Sequence, residues 1–511
     1  MNVPDLLAQA AELNGDNVFA ICDGCHATLG QLHSHARVLC AALAGLGVNK
    51  GDRVAVLLEN SIHCIEIDFG LANGGFVRVS LNPKISAPDA DYILHDAEPV
   101  VVMYGANYCQ FIAALQSRHP HISRWIQISD ATGAATSMAF AIDYQTLLAS
   151  KQSATACAIA DEDDYCIFYT SGSSGKPKGV VLSHRSLVSA ANNVLVVFES
   201  LLAGERVLLL QPLSHGSAFF ILGCAMRGAC VVLTREFDAK RVLQLINDEH
   251  ITTIKLVPTM LHRLLEEPAS DEAVFRNLKH VIYGGSHISA ATLRRALPIF
   301  GARLFQHYGQ SEAPSLITVL SGNDHVTHAS DSPVLTSAGR AISGVDVKIA
   351  KQDGSNAARD EVGEVVVRAP QVMTRYWKRP DLTALVLRGG WLHTNDLGRM
   401  DENGYLYLLG RKDEVIISGG FNIAPKEVED AITTHPAVRE VAVIGKPDIV
   451  WGQMVVAYVT VCDPTLEGPE IIRHVKPLLG FKSPKQVTIV SRLPKNLNGK
   501  IDRKAIALID A

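Results

Sequence analysis

Short apolar runs of strand length alternate with helix-length amphipathic stretches along most of the 511-residue chain, and this alternation limits the fold more than any other feature. The runs at 53–58, 100–104 and 164–169 are rich in Val, Leu, Ile and aromatic side chains, as strands covered on both faces are. Further strands are expected at 207–210, 254–257, 281–283 and 304–306. Helical patterns fall between them, and the one at 184–197 follows Ser183, a residue type suited to the N-cap. Such alternation argues an α/β architecture with a mostly parallel sheet. The apolar stretch 218–234 is interrupted by Arg227 and is shorter than the about 20 residues a membrane span needs, so it reads as a buried helix–strand pair. Ala/Ser/Thr-rich pieces near 131–138 and 152–157 read as surface loops.

The pattern changes past the middle of the chain. Segments 363–368 and 404–409 alternate apolar and polar residues between Gly and Asp turns, which reads as antiparallel sheet. A charged break, Gly410-Arg-Lys-Asp-Glu414, follows and is the expected domain boundary. Beyond it, strands at 415–417, 440–444, 454–461 and 487–490 and helices at 425–434 and 468–479 make a smaller α+β unit.

Composition excludes several functions. Apolar residues make up 48% and charged residues 19%, which describes a globular chain with ample core. A net charge of −5 supplies no basic field for nucleic acid. The opening MNVPDLLAQAAELNGD has acids early and no long apolar core, unlike a secretion signal. Ten scattered cysteines then suggest reduced thiols in a cytoplasmic setting. Cys22-Asp-Gly-Cys25-His26 matches a haem-attachment pattern on paper. Flanked by VFAIC and HATLG, however, Asp23-Gly24 reads as a hairpin turn between short strands.

The stretch Tyr169-Thr-Ser-Gly-Ser-Ser-Gly-Lys-Pro-Lys-Gly179 is suited to phosphate but is not a P-loop. Its glycines are too close for G-x-x-x-x-G-K-[ST], and Pro177 stands where the metal-binding hydroxyl belongs. Proline also removes an N–H that such a loop would aim at the nucleotide. What remains is a strand followed by many N–H and O–H donors, with Lys178 adding charge. A flexible solvent loop would have the same composition.

Three more segments have chemical potential. In Phe305-Gln-His-Tyr-Gly-Gln-Ser-Glu312 a strand ends and the chain is expected to turn at Gly309. Glu312 would suit Mg²⁺, Ser311 a phosphate oxygen and Tyr308 a base; a helix N-terminus with an acid in its first turn is the plainer alternative. In Gly389-Gly-Trp-Leu-His-Thr-Asn-Asp-Leu-Gly398, Asp396 would accept both ribose hydroxyls or simply close an Asx-turn. In Lys495-Asn-Leu-Asn-Gly-Lys500, the last lysine is long enough to reach another domain's cleft, although a solvated lysine is the commoner case. Segment 473–504 has nine Lys/Arg and one acid, Asp502, which favours phosphate nearby.

Taken in order, these segments resemble the adenylate-forming superfamily of acyl-CoA synthetases, luciferases and peptide-synthetase adenylation domains. YTSGSSGKPKGVVLSH resembles its phosphate loop, Pro212-Leu-Ser-His-Gly216 its P-x-x-H segment, and Tyr283-Gly-Gly-Ser286 with QHYGQSE its adenine and magnesium segments. GWLHTNDLG is similar to the ribose segment, Gly410-Arg-Lys-Asp413 to the hinge, ISGGFNIAP to the thiol-tunnel loop and LPKNLNGKIDR to the catalytic-lysine loop. The resemblance covers about 27–504. It implies an N-terminal domain at 1–410 with two α/β sheets and a small β-barrel, a hinge at 411–413 centred on Asp413, and a mobile α+β domain at 414–511.

The implied chemistry is ATP- and Mg²⁺-dependent activation of a small carboxylic acid as acyl-AMP, with pyrophosphate released and the acyl group then passed to coenzyme A. A carrier-protein thiol is the alternative acceptor. Lys500 would bridge the acid and the α-phosphate, while Thr170, Ser171, Gly172, Ser173, Ser174, Gly175 and Lys178 would hold the β- and γ-phosphates. Gly284, Gly285, Ser286, Gln306, His307, Tyr308 and Gly309 would surround the adenine. Ser311 would contact phosphate and Glu312 would hold the metal, with Asp396 and Arg411 on the ribose. Gly419, Gly420 and Trp451 would receive the thiol once the C-terminal domain has rotated. A monomer or homodimer with no membrane span is expected.

This chain departs from the family pattern at Asn395, which replaces a usual glycine, at Ser311, where threonine is commoner, and at Phe421, which replaces a frequent acid. Asn tolerates unusual backbone angles, so the ribose loop should survive. The acyl pocket is expected around His215, which would gate it or pack, 283–286 and 308–313. Ser214, Gly216, Ser217 and Ala218 are small and leave room for a bulky acid or a chain. No cation is expected there, which disfavours a second carboxylate or a phosphate on the acid.

Overall fold

A computed structural model describes every residue except 130–137, 151–156, 171–175, 269, 271–272, 329–331, 496–500 and 510–511. The expected loops near 131–138 and 152–157 fall almost wholly outside the described residues.

Two large sheets dominate the chain up to Arg411. In the first, the strands Leu304–Gln310, His280–Gly284, Thr253–Leu256, Arg206–Leu209, Cys230–Leu233 and Val18–Cys22 run parallel, with antiparallel strands at both edges. In the second, Asp164–Thr170, Val77–Leu81, Arg53–Leu57, Val101–Gly105, Arg124–Ile128 and Ile142–Asp143 run parallel, and Lys178–Ser183 followed by the short edge strand Arg375–Tyr376 extends the sheet antiparallel. Both sheets follow from the βαβ alternation, because helices cover their faces and make the strands near-continuously apolar. One core cluster joins the inner faces of the two sheets through helices such as Ile62–Gly74 and His184–Val197. Ser183 caps the second of these, accepting from the Ser186 N–H at 3.2 Å. The 218–234 stretch is the buried helix Ala218–Arg227 followed by the strand Cys230–Leu233. Asp23 and Gly24 form the two-residue turn between Val18–Cys22 and Cys25–Thr28, and all ten cysteines are free thiols.

The third sheet is antiparallel: Asp346–Ala350, Gly363–Arg368, Trp391–Met400, Leu387–Arg388 and Leu406–Arg411. The expected small β-barrel takes this five-stranded form, and its pairings do not close among the described residues: Asp346–Ala350 has one neighbour, and Leu387–Arg388 is too short to bridge the edges. After Arg411 comes a single tight turn, Lys412–Glu414, and then a sheet with its own core. There Ile416, Val428, Ile432, Val443, Val455, Val459, Ile471 and Val475 pack between the sheet and the helices Pro425–Thr433 and Gly468–Leu479. No helix among the described residues is long and apolar enough to cross a membrane.

Candidate active site

The carboxyl ends of the parallel strands in the first sheet open into a cleft of about 1630 Å³, closed on the far side by the C-terminal unit. Such a position is where open α/β sheets place ligands. His215, Gly285, Ser286, Gln306, His307, Tyr308 and Gly309 line it from the sheet side. Asp396, Arg411 and Asp413 line it from the third sheet and the turn beyond. Facing them are C-terminal groups, among them Lys426, Asp430, Lys495, Ile501 and Arg503. Segments far apart in sequence therefore meet at one cavity.

The Asp396 carboxylate is the best-defined polar centre in it. Tyr308 donates its hydroxyl to Asp396 Oδ2 at 2.6 Å, and the Arg411 guanidinium lies 3.3 Å from Oδ1. Burial, and then the Asp396 charge, hold the Tyr308 hydroxyl well above its usual range, so it stays a donor. Burial pushes the Arg411 guanidinium down, but Asp396, Asp413 and Glu312 outweigh it and the net shift is upward. Asp396 sits inside the long strand Trp391–Met400, beside an irregularity in the pairing with Leu406–Arg411. The preceding Asn395 has φ of +63°, the left-handed region a glycine would favour and an asparagine can adopt.

At Glu312 the structure corrects the reading of the turn. The strand runs on to Gln310, and Ser311-Glu312 turns the chain into the antiparallel strand Ala313–Leu320. Gly309 is therefore not the turn but a point of close approach, because a Cβ there would stand 2.2 Å from the Ser315 carbonyl oxygen. Nor does a helix start at this point. Tyr376 donates to Glu312 Oε1 at 2.8 Å, and the Lys178 amine lies 5.8 Å from the centre of the Tyr376 ring. Tyr376 gave no signal in the sequence: it sits beside Trp377 between charged residues and is brought in by the short strand Arg375–Tyr376 that pairs with Lys178–Ser183.

Thr170 and Lys178 are paired across the antiparallel strands that enter and leave the Gly/Ser-rich loop. Ser171, Gly172, Ser173, Ser174 and Gly175 lie outside the described residues, as does Lys500. The flanks of Lys500 are described: Lys495 bridges to Ile501, and the Asp502 N–H donates to the Pro494 carbonyl at 2.9 Å. Arg503 reaches Glu429 at 2.6 Å and Glu414, one residue past Asp413, at 3.3 Å. Gly284 ends its strand and Ser311 sits in the turn; neither lines the cleft. Gly419, Gly420 and Trp451 come together elsewhere on the C-terminal unit: the two glycines form the turn from Ile416–Ser418 to Phe421–Ile423, and the Gly419 N–H donates to the Trp451 carbonyl at 2.8 Å.

A cation stands against the segment expected to wall the acyl pocket, although Lys255 itself is not among the residues that line the cleft. Lys255 points its amine at the wall formed by 214–217, 3.6 Å from where a Cβ on Gly216 would stand. Burial pushes this amine down to about 7. The signal was present as a lone lysine inside the apolar run at 254–257.

Comparison with known proteins agrees with this geometry. The AMP-binding enzyme family matches residues 7–377, and the AMP-binding enzyme C-terminal domain matches 427–500. The chain is 33% identical to the medium/long-chain-fatty-acid–CoA ligase FadD8 of Mycobacterium tuberculosis, over 94% of this chain and 85% of that one. It is also 33% identical to a feruloyl-CoA synthase of Amycolatopsis, over 93% and 92%. The solved structure of the amide bond synthetase McbA from Marinactinospora thermotolerans superposes with a TM-score of 0.88 at 28% identity, covering 99% of each chain. The chain belongs to the AMP-binding enzyme family, within the adenylate-forming acyl-CoA synthetases and ligases.

Proposed function

We propose that the protein is an ATP-dependent acid–thiol ligase that joins a carboxylic acid to AMP, releases pyrophosphate and then passes the acyl group to coenzyme A. The observation that carries this reading is the Tyr308–Asp396–Arg411 group, with Tyr308 buried and Asp396 partly so, in one cleft with the flanks of the Lys500 loop. A carboxylate is a poor electrophile for a thiol, and a mixed anhydride with AMP overcomes that. The transition state crowds negative charge, which fixed cations and donors must offset.

In this assignment Asp396 accepts the ribose hydroxyls and Arg411 pairs with its carboxylate. Gly285, Ser286, Gln306, His307 and Gly309 enclose the base. Thr170, Ser171–Gly175 and Lys178 take the β- and γ-phosphates. Lys500 bridges the acid and the α-phosphate. No cluster of three metal-ligating side chains occurs among the described residues, so a protein-only cage is not the expected mode. Glu312 instead suits Mg²⁺, which takes one or two carboxylates together with phosphate oxygens and would neutralise phosphate charge there.

The second half-reaction needs the C-terminal unit, from 414 on, to rotate about Asp413 and bring Gly419, Gly420 and Trp451 to the cleft. Their position outside the cleft lining, with Lys495 and Ile501 inside it, fits the arrangement used for adenylation. A carrier-protein thiol is the lesser reading of the acceptor. Acid-dependent exchange of pyrophosphate into ATP tests the first half-reaction. Hydrolysis to ADP and phosphate without any acid would overturn it.

A further inference from the structure

The strand Thr253–Leu256 lies in the interior of the first sheet and should be apolar throughout, because both its faces are covered. Lys255 breaks that rule. The residue is 3% exposed, and its neighbours across the ladder are Leu209 and Ile282. Phe220 presents its ring 5.3 Å from the amine. Among the described residues, its one hydrogen-bond acceptor is Gln211 Oε1, at 2.5 Å, and no carboxylate lies within ion-pair distance. An ammonium has three donors, so two have no acceptor among the described residues. A buried cation without a counter-charge destabilises the fold, and such groups are characteristic of ligand sites.

The surroundings point the same way. Ser214 Oγ, Ser217 Oγ and Gln310 Nε2 are also buried without hydrogen-bond partners among the described residues. Gln310 and His215 line the cleft, and Pro258 and Thr259, just beyond Lys255, line it too. Gly216 presents no side chain to the amine, which lies 3.6 Å from where a Cβ would stand. Gln211, which accepts from the lysine, is left with amide N–H groups to offer.

We infer that Lys255 and Gln211 form a specificity subsite that selects acids bearing an oxygen acceptor, a carbonyl or a second carboxylate, at the end remote from the reacting carboxyl. This rests on the ligase reading above. The substrate's far oxygen accepts from the lysine amine and the glutamine amide, and it supplies the partner that the buried amine lacks. A hydrocarbon end would leave both groups desolvated and unpaired, which is the stronger form of discrimination.

The test is pyrophosphate release over chain-matched series, from valerate, levulinate and glutarate up to dodecanoate and its oxo and dicarboxylate counterparts. Wild-type protein should favour an acceptor-bearing acid over its hydrocarbon match by at least about tenfold in kcat/KM at the best length. Lys255→Met keeps the length and most of the volume, and it should abolish or reverse that ratio through the KM for the acid, leaving the KM for ATP unchanged. Gln211→Leu should shrink the ratio in the same direction, and it decides the matter together with wild type if Lys255→Met does not fold. A wild-type preference for the hydrocarbon acids, or an unchanged ratio in a folded variant, would overturn the subsite and leave the ligase reading standing. Failure of every acid to release pyrophosphate would overturn the ligase reading and the subsite with it.

Discussion

Replacing Lys255 by methionine should stabilise the protein at neutral pH and progressively cease to do so in alkali. Burial lowers this amine from 10.5 to about 7. At about 1.36 kcal/mol per tenfold change in proton affinity, the native state carries a penalty of roughly 4 kcal/mol at pH 7. The sign follows from proton counting. Between about pH 7 and 10.5 the unfolded chain holds the lysine proton and the native chain does not, so wild-type stability rises with pH across that window. The penalty shrinks by about 1.4 kcal/mol per pH unit and is down to about 1 kcal/mol at pH 10. Methionine does not titrate, so the gap between variant and wild type should narrow by about 3 kcal/mol from pH 7 to pH 10. Guanidinium unfolding followed by tryptophan fluorescence measures it, with Trp125 buried in the N-terminal region as a reporter. Other groups titrate in both proteins and cancel in the difference. A gap that stays constant across this range would show that the amine is not desolvated in the native state, and the reasoning from its burial would fail.

Asp396→Ala removes the acceptor assigned to the ribose and should weaken ATP binding by about 10- to 100-fold with the fold retained, as read by titration calorimetry and circular dichroism. Asn395→Gly should be tolerated, whereas Asn395→Val, forced to a φ of +63°, should cost about 1–2 kcal/mol in thermal unfolding. Lys500→Ala should abolish acid-dependent pyrophosphate exchange yet still form thioester from a supplied acyl-adenylate. Equal loss of both halves would count against its assigned role.

The two parallel sheets were legible because their strands are covered on both faces: a run such as 53–58 has no polar side to confuse the period, and its length separates it from a helix. Ser183 marked its helix start by chemistry alone. Gly309 misled because a glycine that makes a turn and one that permits close approach look alike in sequence; the deciding contact is the Ser315 carbonyl across the hairpin. The cleft residues were legible as ordered segments, but their partners were not. Tyr376 reaches Glu312 only through the pairing of Arg375–Tyr376 with Lys178–Ser183, which joins residues nearly two hundred positions apart in the chain. Lys255 was visible as a charge in an apolar strand, yet its direction depends on which face of the sheet meets the wall at 214–217, and the pattern of the strand itself cannot fix that.

Product analysis tests the central claim most directly. With ATP, coenzyme A, magnesium and an accepted acid, mass spectrometry should find acyl-CoA and AMP in equal amounts, with pyrophosphate and no ADP. ADP as the nucleotide product, or AMP accumulating while coenzyme A remains unacylated, would contradict the account.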